Sequence, residues 1–212
     1  MRGLERFAPL TGVAFVILVI VAVIVGGETP AADDPLAEVV EYWNDNKDQN
    51  IVAAIIAAIS TVFLLWFAGV LRAVLAAAEG APARLANTAF GGAVIGAVGW
   101  AMLIGFTFVA ADTAGEVAPQ VTQTLSALQA DFFFPLSIGF AVFLLASGLA
   151  IVRAGALPSW VGWVALVLGV VALTPAGFFA ILAMLVWIVA VSVMLFMATT
   201  PPSPTRSVPG EV

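Results

Sequence analysis

The chain has 212 residues, 63% of them hydrophobic and only 9% charged, whereas a soluble domain carries roughly 25% charged residues. So few charges do not cover a water-facing surface. The absence of cysteine and histidine excludes disulfides, thiolate chemistry, Cys-ligated metal and the commonest general base and zinc or haem ligand. Thirteen acids against seven scattered bases speak against a nucleic-acid partner.

Arg2 and Arg6 precede an apolar run, Phe7–Val25. Nineteen residues exceed the 7–15 of a signal-peptide core, so the run is expected to be retained as a first membrane span ended by Gly26-Gly27. Glu28–Gln49 is the most polar stretch. Asp34 suits an N-cap and Pro35 the first helical position. Leu36, Val39, Val40 and Trp43 then follow an i, i+3, i+4, i+7 pattern, with Asp34, Glu38, Glu41, Asp45 and Asp48 opposite them. Lys47 falls at the edge of the stripe, where its stem can snorkel. The pattern predicts an amphipathic helix on the membrane surface or capping the bundle, and a solvated helix that merely connects two spans explains it equally simply.

Asn50 restarts the chain, and Ile51–Leu71 is the second span, closed by Arg72. Residues 73–84 read as a short connection. The third span, about 89–111, holds a GxxxG at Gly92 and Gly96, continued as a small-residue line by Ala97, Ala101 and Gly105. Small residues allow close helix approach, here most simply within one chain. A second polar segment, 112–130, contains Pro119 as a helix start, with Val117, Val121, Leu125 and Leu128 on one side and Thr122, Gln123, Ser126 and Gln129 elsewhere. Asp131 suits the cap of a fourth span, 132–152, and Pro135 sits in its first turn, where a missing N–H costs little. The fifth span, 157–173, is short and opens on Trp160 and Trp163, which suit an interfacial belt. The sixth, 178–198, follows a turn at 174–177. Residues 199–212 form a Pro/Ser-rich tail expected to be disordered and cytoplasmic.

The expected fold is therefore an all-α membrane protein. Six transmembrane helices form three hairpins in one polytopic domain over residues 1–198, with two short amphipathic helices on the outer face. Six spans place both termini on one side. If that side is the cytoplasm, Arg2, Arg6, Arg72, Arg84, Arg153 and Arg206 lie inside and only Lys47 outside, the bias that sets topology. Glu28, Asp33, Asp34, Glu38, Glu41, Asp45, Asp48, Asp112, Glu116 and Asp131 then lie outside. Phe63-Leu64-Leu65 matches Phe143-Leu144-Leu145 at an offset of 80, a sign of parallel rather than inverted repetition.

No ionisable residue falls inside an expected span, where one would mark a functional site. The intramembrane polar groups Ser60, Thr61, Thr107, Ser137, Ser147 and Ser192 are expected to bond to their own helices, and Trp66, Trp100 and Trp187 add three indoles. Asp112, Glu116 and Asp131 gather near one outer boundary, as caps and a solvated face or as the lining of an entrance. No P-loop is present. No catalytic, cofactor-binding or metal residue is assigned, and the ligand-binding residues stay unknown.

The segments DDPLAEVVEYWNDNKDQ, FLLWFAGVLR, DFFFPLSIGFAVFLLASGL and GALPSWVGWVALVLG, in this order after a basic start, resemble a group of uncharacterised actinobacterial polytopic membrane proteins, a domain of unknown function. The likeness covers about residues 1–198 and implies six helices in the plasma membrane, with no activity and no site residues. One lysine against six arginines, with abundant Ala, Val and Gly, fits a GC-rich bacterial genome. The leading expectation is a non-catalytic accessory component whose partners are membrane lipids and a further membrane protein. The alternative is a carrier or binder of a lipid or small hydrophobe, which requires a cavity lined by Trp66 or Trp100. A membrane enzyme ranks third and requires Asp112, Glu116 and Asp131 to converge.

Overall fold

The computed structural model describes residues 6–31 and 33–198; Arg2, Arg206 and the tail 199–212 lie outside the described residues. After a short 3-10 turn at Ala8–Leu10 come α1 (Thr11–Gly26), α2 (Leu36–Asp45), α3 (Lys47–Glu79), α4 (Arg84–Asp112), α5 (Pro119–Asp131), α6 (Phe134–Ala154), α7 (Ser159–Val171) and α8 (Gly177–Ala198). The described residues contain helices and no strand. Five stretches are long and apolar enough to cross a membrane: Ala8–Gly26, Lys47–Glu79, Arg84–Asp112, Pro119–Ala154 and Gly177–Ala198. The expected fifth span is a helix of only 13 residues, Ser159–Val171, about 20 Å at 1.5 Å per residue.

The second and third expected spans are longer than their apolar cores suggested. Helix α3 has 33 residues, about 50 Å against the roughly 30 Å of a bilayer core. The segment 73–79, read as connection, is helical because Ala-Val-Leu-Ala-Ala-Ala-Glu is among the best helix-forming compositions. The helix stops at Gly80, whose φ of 76° a residue without Cβ adopts freely. Glu79 then reaches forward: its carboxylate accepts the backbone N–H groups of Leu85 and Ala86 at 3.0 and 3.1 Å and so caps the start of α4. These bonds, that from Leu85 foremost, hold the Glu79 carboxyl below its ordinary value. Glu79 lies two turns past Arg72, beyond the uncharged run Ile51–Leu71.

Helices α1, α3, α4, α6, α7 and α8 pack in this order, each on the next, and α8 returns to α1. Neighbours run antiparallel. Phe7 stacks on Phe196 and Gly12 presses on Ser192 and Phe67; Arg72 meets Asn87. Helix α6 is the most enclosed stretch, with Ser137, Phe140, Phe143, Leu144, Ser147 and Ile151 among its buried residues. It is gripped through glycines on two sides. A Cβ on Gly92 or Gly99 would strike the α6 backbone at Phe143 or Leu136, and one on Gly139 would strike that of Gly96; farther along, Gly148 meets the carbonyl of Gly162 on α7. Between apolar helices in lipid, such close approach supplies van der Waals attraction where the hydrophobic effect does not operate. The small-residue line therefore works within the chain, but along Gly92, Gly96 and Gly99. Gly105 meets nothing within 4 Å and Ala101 is exposed, so the expected continuation through Ala97, Ala101 and Gly105 is corrected after Ala97.

The largest buried cluster fills the basic end and continues along α6 to Phe140 and Leu136. Phe15, Val16, Val19, Leu64, Phe67, Leu71, Leu75, Leu144, Ile151, Ile188 and Leu195 belong to a single buried cluster. The Trp187 indole donates to the Val161 carbonyl at 3.0 Å and meets Phe143 edge-on. Around the outside, Ile20, Ile24, Ile55, Ile59, Val62, Val98, Val167, Leu182 and Val186 are all exposed. That apolar belt exceeds what a water-soluble surface carries and suits a lipid surround. Trp66 belongs to this outer belt, 61% exposed beside Phe63, and lines no interior space.

Candidate ligand vestibule at the acidic end

The end of the bundle opposite that core carries a cap. Helix α2 turns Val39 and Trp43 inward, both fully buried against Ala110, Ala111 and Ala114, with Leu125 of α5 alongside. The amphipathic stripe thus packs on the bundle itself. Its acids, Glu38, Glu41 and Asp45, are exposed. Asp34 does not cap this helix. Its Oδ2 accepts the Ala31 N–H at 2.7 Å, closing a turn, while Pro35 takes the cap position and its carbonyl receives the Val39 N–H. Tyr42 and Asn50 tie the cap to α1: the Tyr42 hydroxyl donates to the Gly26 carbonyl and the Asn50 Nδ2 to the Tyr42 oxygen, each at 3.2 Å. Lys47 does not snorkel. Its ammonium donates to the Asp112 carbonyl at 2.7 Å and lies 3.6 Å from the Glu116 carboxylate.

Pro119 opens helix α5 after an extended Ala118. Its buried residues are Thr122 and Ser126, Leu125 packs on the cluster around Trp43, and Val121 is 46% exposed. Thr122, Ser126 and Gln129 are spaced i, i+4, i+7 and share one face. Ser126 Oγ and Gln129 Oε1 are buried without a hydrogen-bond partner. Asp131 ends α5 rather than capping α6, whose first residue is Phe134 with Pro135 in the first turn.

Beside this cap the bundle carries two open cavities. One cavity of about 190 Å³ lies between α1 (Ala22, Val23, Gly26), α3 (Asn50, Ala53, Ala54, Ala57) and α4 (Trp100, Leu103, Ile104, Thr107). A larger one of about 830 Å³ extends to the start of α6 (Phe134, Ser137, Ile138) and the α7–α8 connection (Leu173, Thr174, Phe178). Thr29, Leu103 and Gln129 line both, so the two spaces adjoin across these residues (the throat) and are treated together as a vestibule. The larger volume lies in the usual range of ligand pockets, about 300–1,000 Å³.

The hollow follows from residue size along α3. Its inward positions are Ala53, Ala54, Ala57 and Ser60 over the first half and Leu64, Phe67, Leu71 and Leu75 over the second. Small side chains cannot fill the space that large ones fill two turns on. Helix α1 shows where the vestibule meets the lipid. Gly12, Val16, Val19 and Val23 share one face. The first three are buried, yet Val23, lining the cavity, is 61% exposed. The cover over that face is lost one turn beyond Val19, which leaves a lateral opening in the outer half.

Trp100 lines the smaller cavity as the binder reading required, and its indole N–H donates to Ser60 Oγ at 3.3 Å. Ser60, Thr61 and Thr107 donate to carbonyls of their own helices at 2.6, 3.3 and 3.1 Å, as expected of such residues. Ser147 and Ser192 do not; both hydroxyl oxygens are buried without a partner. Of the three outer acids, Glu116 and the Asp112 carbonyl meet at Lys47, whereas Asp131 stands on the rim of the larger cavity. Among the described residues no three His, Cys, Asp or Glu side chains gather in a metal-holding group. Sequence reasoning passed over Gln129, Thr29, Leu103 and Asn50. The signal available for them was the alanine run facing inward on α3 and the 122/126/129 polar spacing on α5.

The architecture is that of an all-helical bundle with a membrane-type apolar exterior. No family model matches the chain, and no curated protein or solved structure matches it significantly.

Proposed function

We propose that the protein is a multi-pass protein of a bacterial plasma membrane that binds a lipid or small hydrophobic molecule in its outer vestibule, without catalysis. The observation that carries this reading is the pair of adjoining cavities beside the cap, lined by Trp100, Leu103 and Ile138 with a few convergent polar groups, the make-up of a small-molecule site. In this reading the chain crosses the membrane six times as three hairpins, α7 being a short crossing, with both termini in the cytoplasm. The separation of charge supports that orientation. Arg6, Arg72, Arg84 and Arg153 sit at the end of the solid core, while the acids of α2 and its flanks sit at the capped end. Phosphatase fused after Glu116 is expected to be active and after Arg153 inactive; the reverse pattern overturns the orientation.

Binding is tested by extraction in native lipid discs and mass spectrometry of retained molecules, comparing the natural chain with Leu103→Trp, which fills the throat. A species held by the first and lost by the second is expected. Identical profiles overturn the binder reading. An accessory role, with docking through the outer helices, is the second reading. Its weight falls because Val39 and Trp43, the apolar face available for docking, are already buried within the chain; what α2 offers a partner is acidic.

A further inference from the structure

We infer that the vestibule selects an uncharged, hydroxyl-bearing lipid and rejects an anionic one, with Gln129 holding the headgroup at the throat. The inference rests on the binder reading above and adds the ligand's chemical class.

The electrostatics of the site carry it. Among the described residues no lysine or arginine lines either cavity. Lys47, beside the cap, is engaged by Glu116 and the Asp112 carbonyl. Among the described lining residues the one charged side chain is Asp131, an acid. A phosphate or carboxylate headgroup brought here would lose water, meet no counter-charge from these residues and approach a like charge, which disfavours its entry. An uncharged headgroup meets none of these penalties.

The polar groups at the throat fit such a headgroup. Gln129 lines both cavities, and one of its amide atoms is buried without a partner. A primary amide presents both a donor and an acceptor, and an alcohol answers either. Thr29 adds a second hydroxyl at the same throat. The apolar chain would lie along Leu103 and Ile138 and leave past Val23, where α1 is uncovered.

The test uses the full-length protein in neutral lipid discs and two photoreactive probes with the same diazirine-bearing chain, one a long-chain alcohol and the other the matching alkyl phosphate. Peptide mapping reads the labelling. The alcohol is expected to label vestibule residues around Leu103 and Ile138 at least about tenfold more than the phosphate, the ratio a missing counter-charge imposes. Gln129→Leu should reduce alcohol labelling roughly fivefold, as loss of one hydrogen bond predicts. Gln129→Lys, which supplies a cation, should raise phosphate labelling instead, so the inference is testable even if the leucine variant folds poorly. Equal labelling of the natural protein by both probes overturns the selectivity and leaves the binder reading standing. Labelling confined to the outer belt around Ile20 and Ile59 overturns both.

Discussion

The two ends of this bundle are built from the same helices and the same few residue types, yet one is solid and the other hollow. At the basic end, Leu64, Phe67, Leu71 and Leu75 of α3 meet Phe15, Val16, Ile151 and Ile188. At the acidic end, the corresponding face of α3 is Ala53, Ala54 and Ala57; the latter two pack with Ala22 and Ile104 in a smaller cluster, and all three border a cavity. The difference lies in side-chain volume along one helix, since the backbone frame is continuous across both ends. The basic end holds its shape by packing. The acidic end has a separate cap, pinned by Trp43 against Ala110 and Ala111 and by Tyr42 to Gly26. A membrane protein whose helices associate by close packing can leave half its interior unfilled only if the other half, together with the glycine contacts of α6, carries the bundle.

The sharpest way to break the comparison is at those glycine contacts. Gly139→Leu places a side chain against the backbone of Gly96. Overpacking usually costs about 1–3 kcal/mol and more where backbone must move, so this variant should lose over about 3 kcal/mol and fail to yield a monodisperse folded species in size-exclusion chromatography. Next comes the cap. Trp43→Ala removes a fully buried indole; truncations of this kind cost about 3–5 kcal/mol in a core. Here the loss is expected to stay local, exposing a cysteine placed at Ala114 to an impermeant thiol reagent while the thermal midpoint of the bundle changes little.

A matched pair sharpens the contrast between the ends. Ala150→Leu, in the solid cluster, should destabilise by about 1–3 kcal/mol. Ala54→Leu, which fills part of a cavity, should be neutral or stabilising, and thermal unfolding in lipid discs reads both. The smallest effect is expected at Glu79. Its carboxyl is held below its ordinary value by the Leu85 and Ala86 N–H groups, so its contribution is present above the unfolded-state value and is lost as pH falls through the lowered folded one. The midpoint difference between the natural chain and Glu79→Gln should therefore favour the natural chain at neutral pH and shrink in acid; a difference that grows in acid would contradict the capping role.

How much of this was legible in the sequence varies with the physics behind each element. The apolar runs gave the all-helical, membrane-type fold, since length and hydropathy are direct consequences of spanning lipid. Helix α6, bracketed by Asp131 and Arg153, stood out in the sequence and proved to be the most enclosed helix. The amphipathic stripe of α2 was also readable, and its placement on the bundle follows from Trp43, which finds a fitted surface in Ala110 and Ala111. Helix ends were misread where charge and helix propensity disagreed: Arg72 looked like a terminus, but the alanines after it kept the helix going. The sequence raised a cavity at Trp66 or Trp100 only as a requirement of the binder reading, because a cavity is an absence of volume spread over several helices, and no local pattern announces which alanines face one another.

The central claim is that the acidic half holds an open cavity while the basic half is closed. The chain contains no cysteine, so single-cysteine variants need no background removal. Ala54→Cys and Ala150→Cys start from residues equally buried, at 3% and 0% exposure. Treated in lipid discs with a small thiol reagent, Ala54→Cys is predicted to react through the vestibule and Ala150→Cys to remain inert, with reaction at position 54 suppressed by Leu103→Trp. Two equally inert cysteines, or a reactive one at 150, would contradict the account.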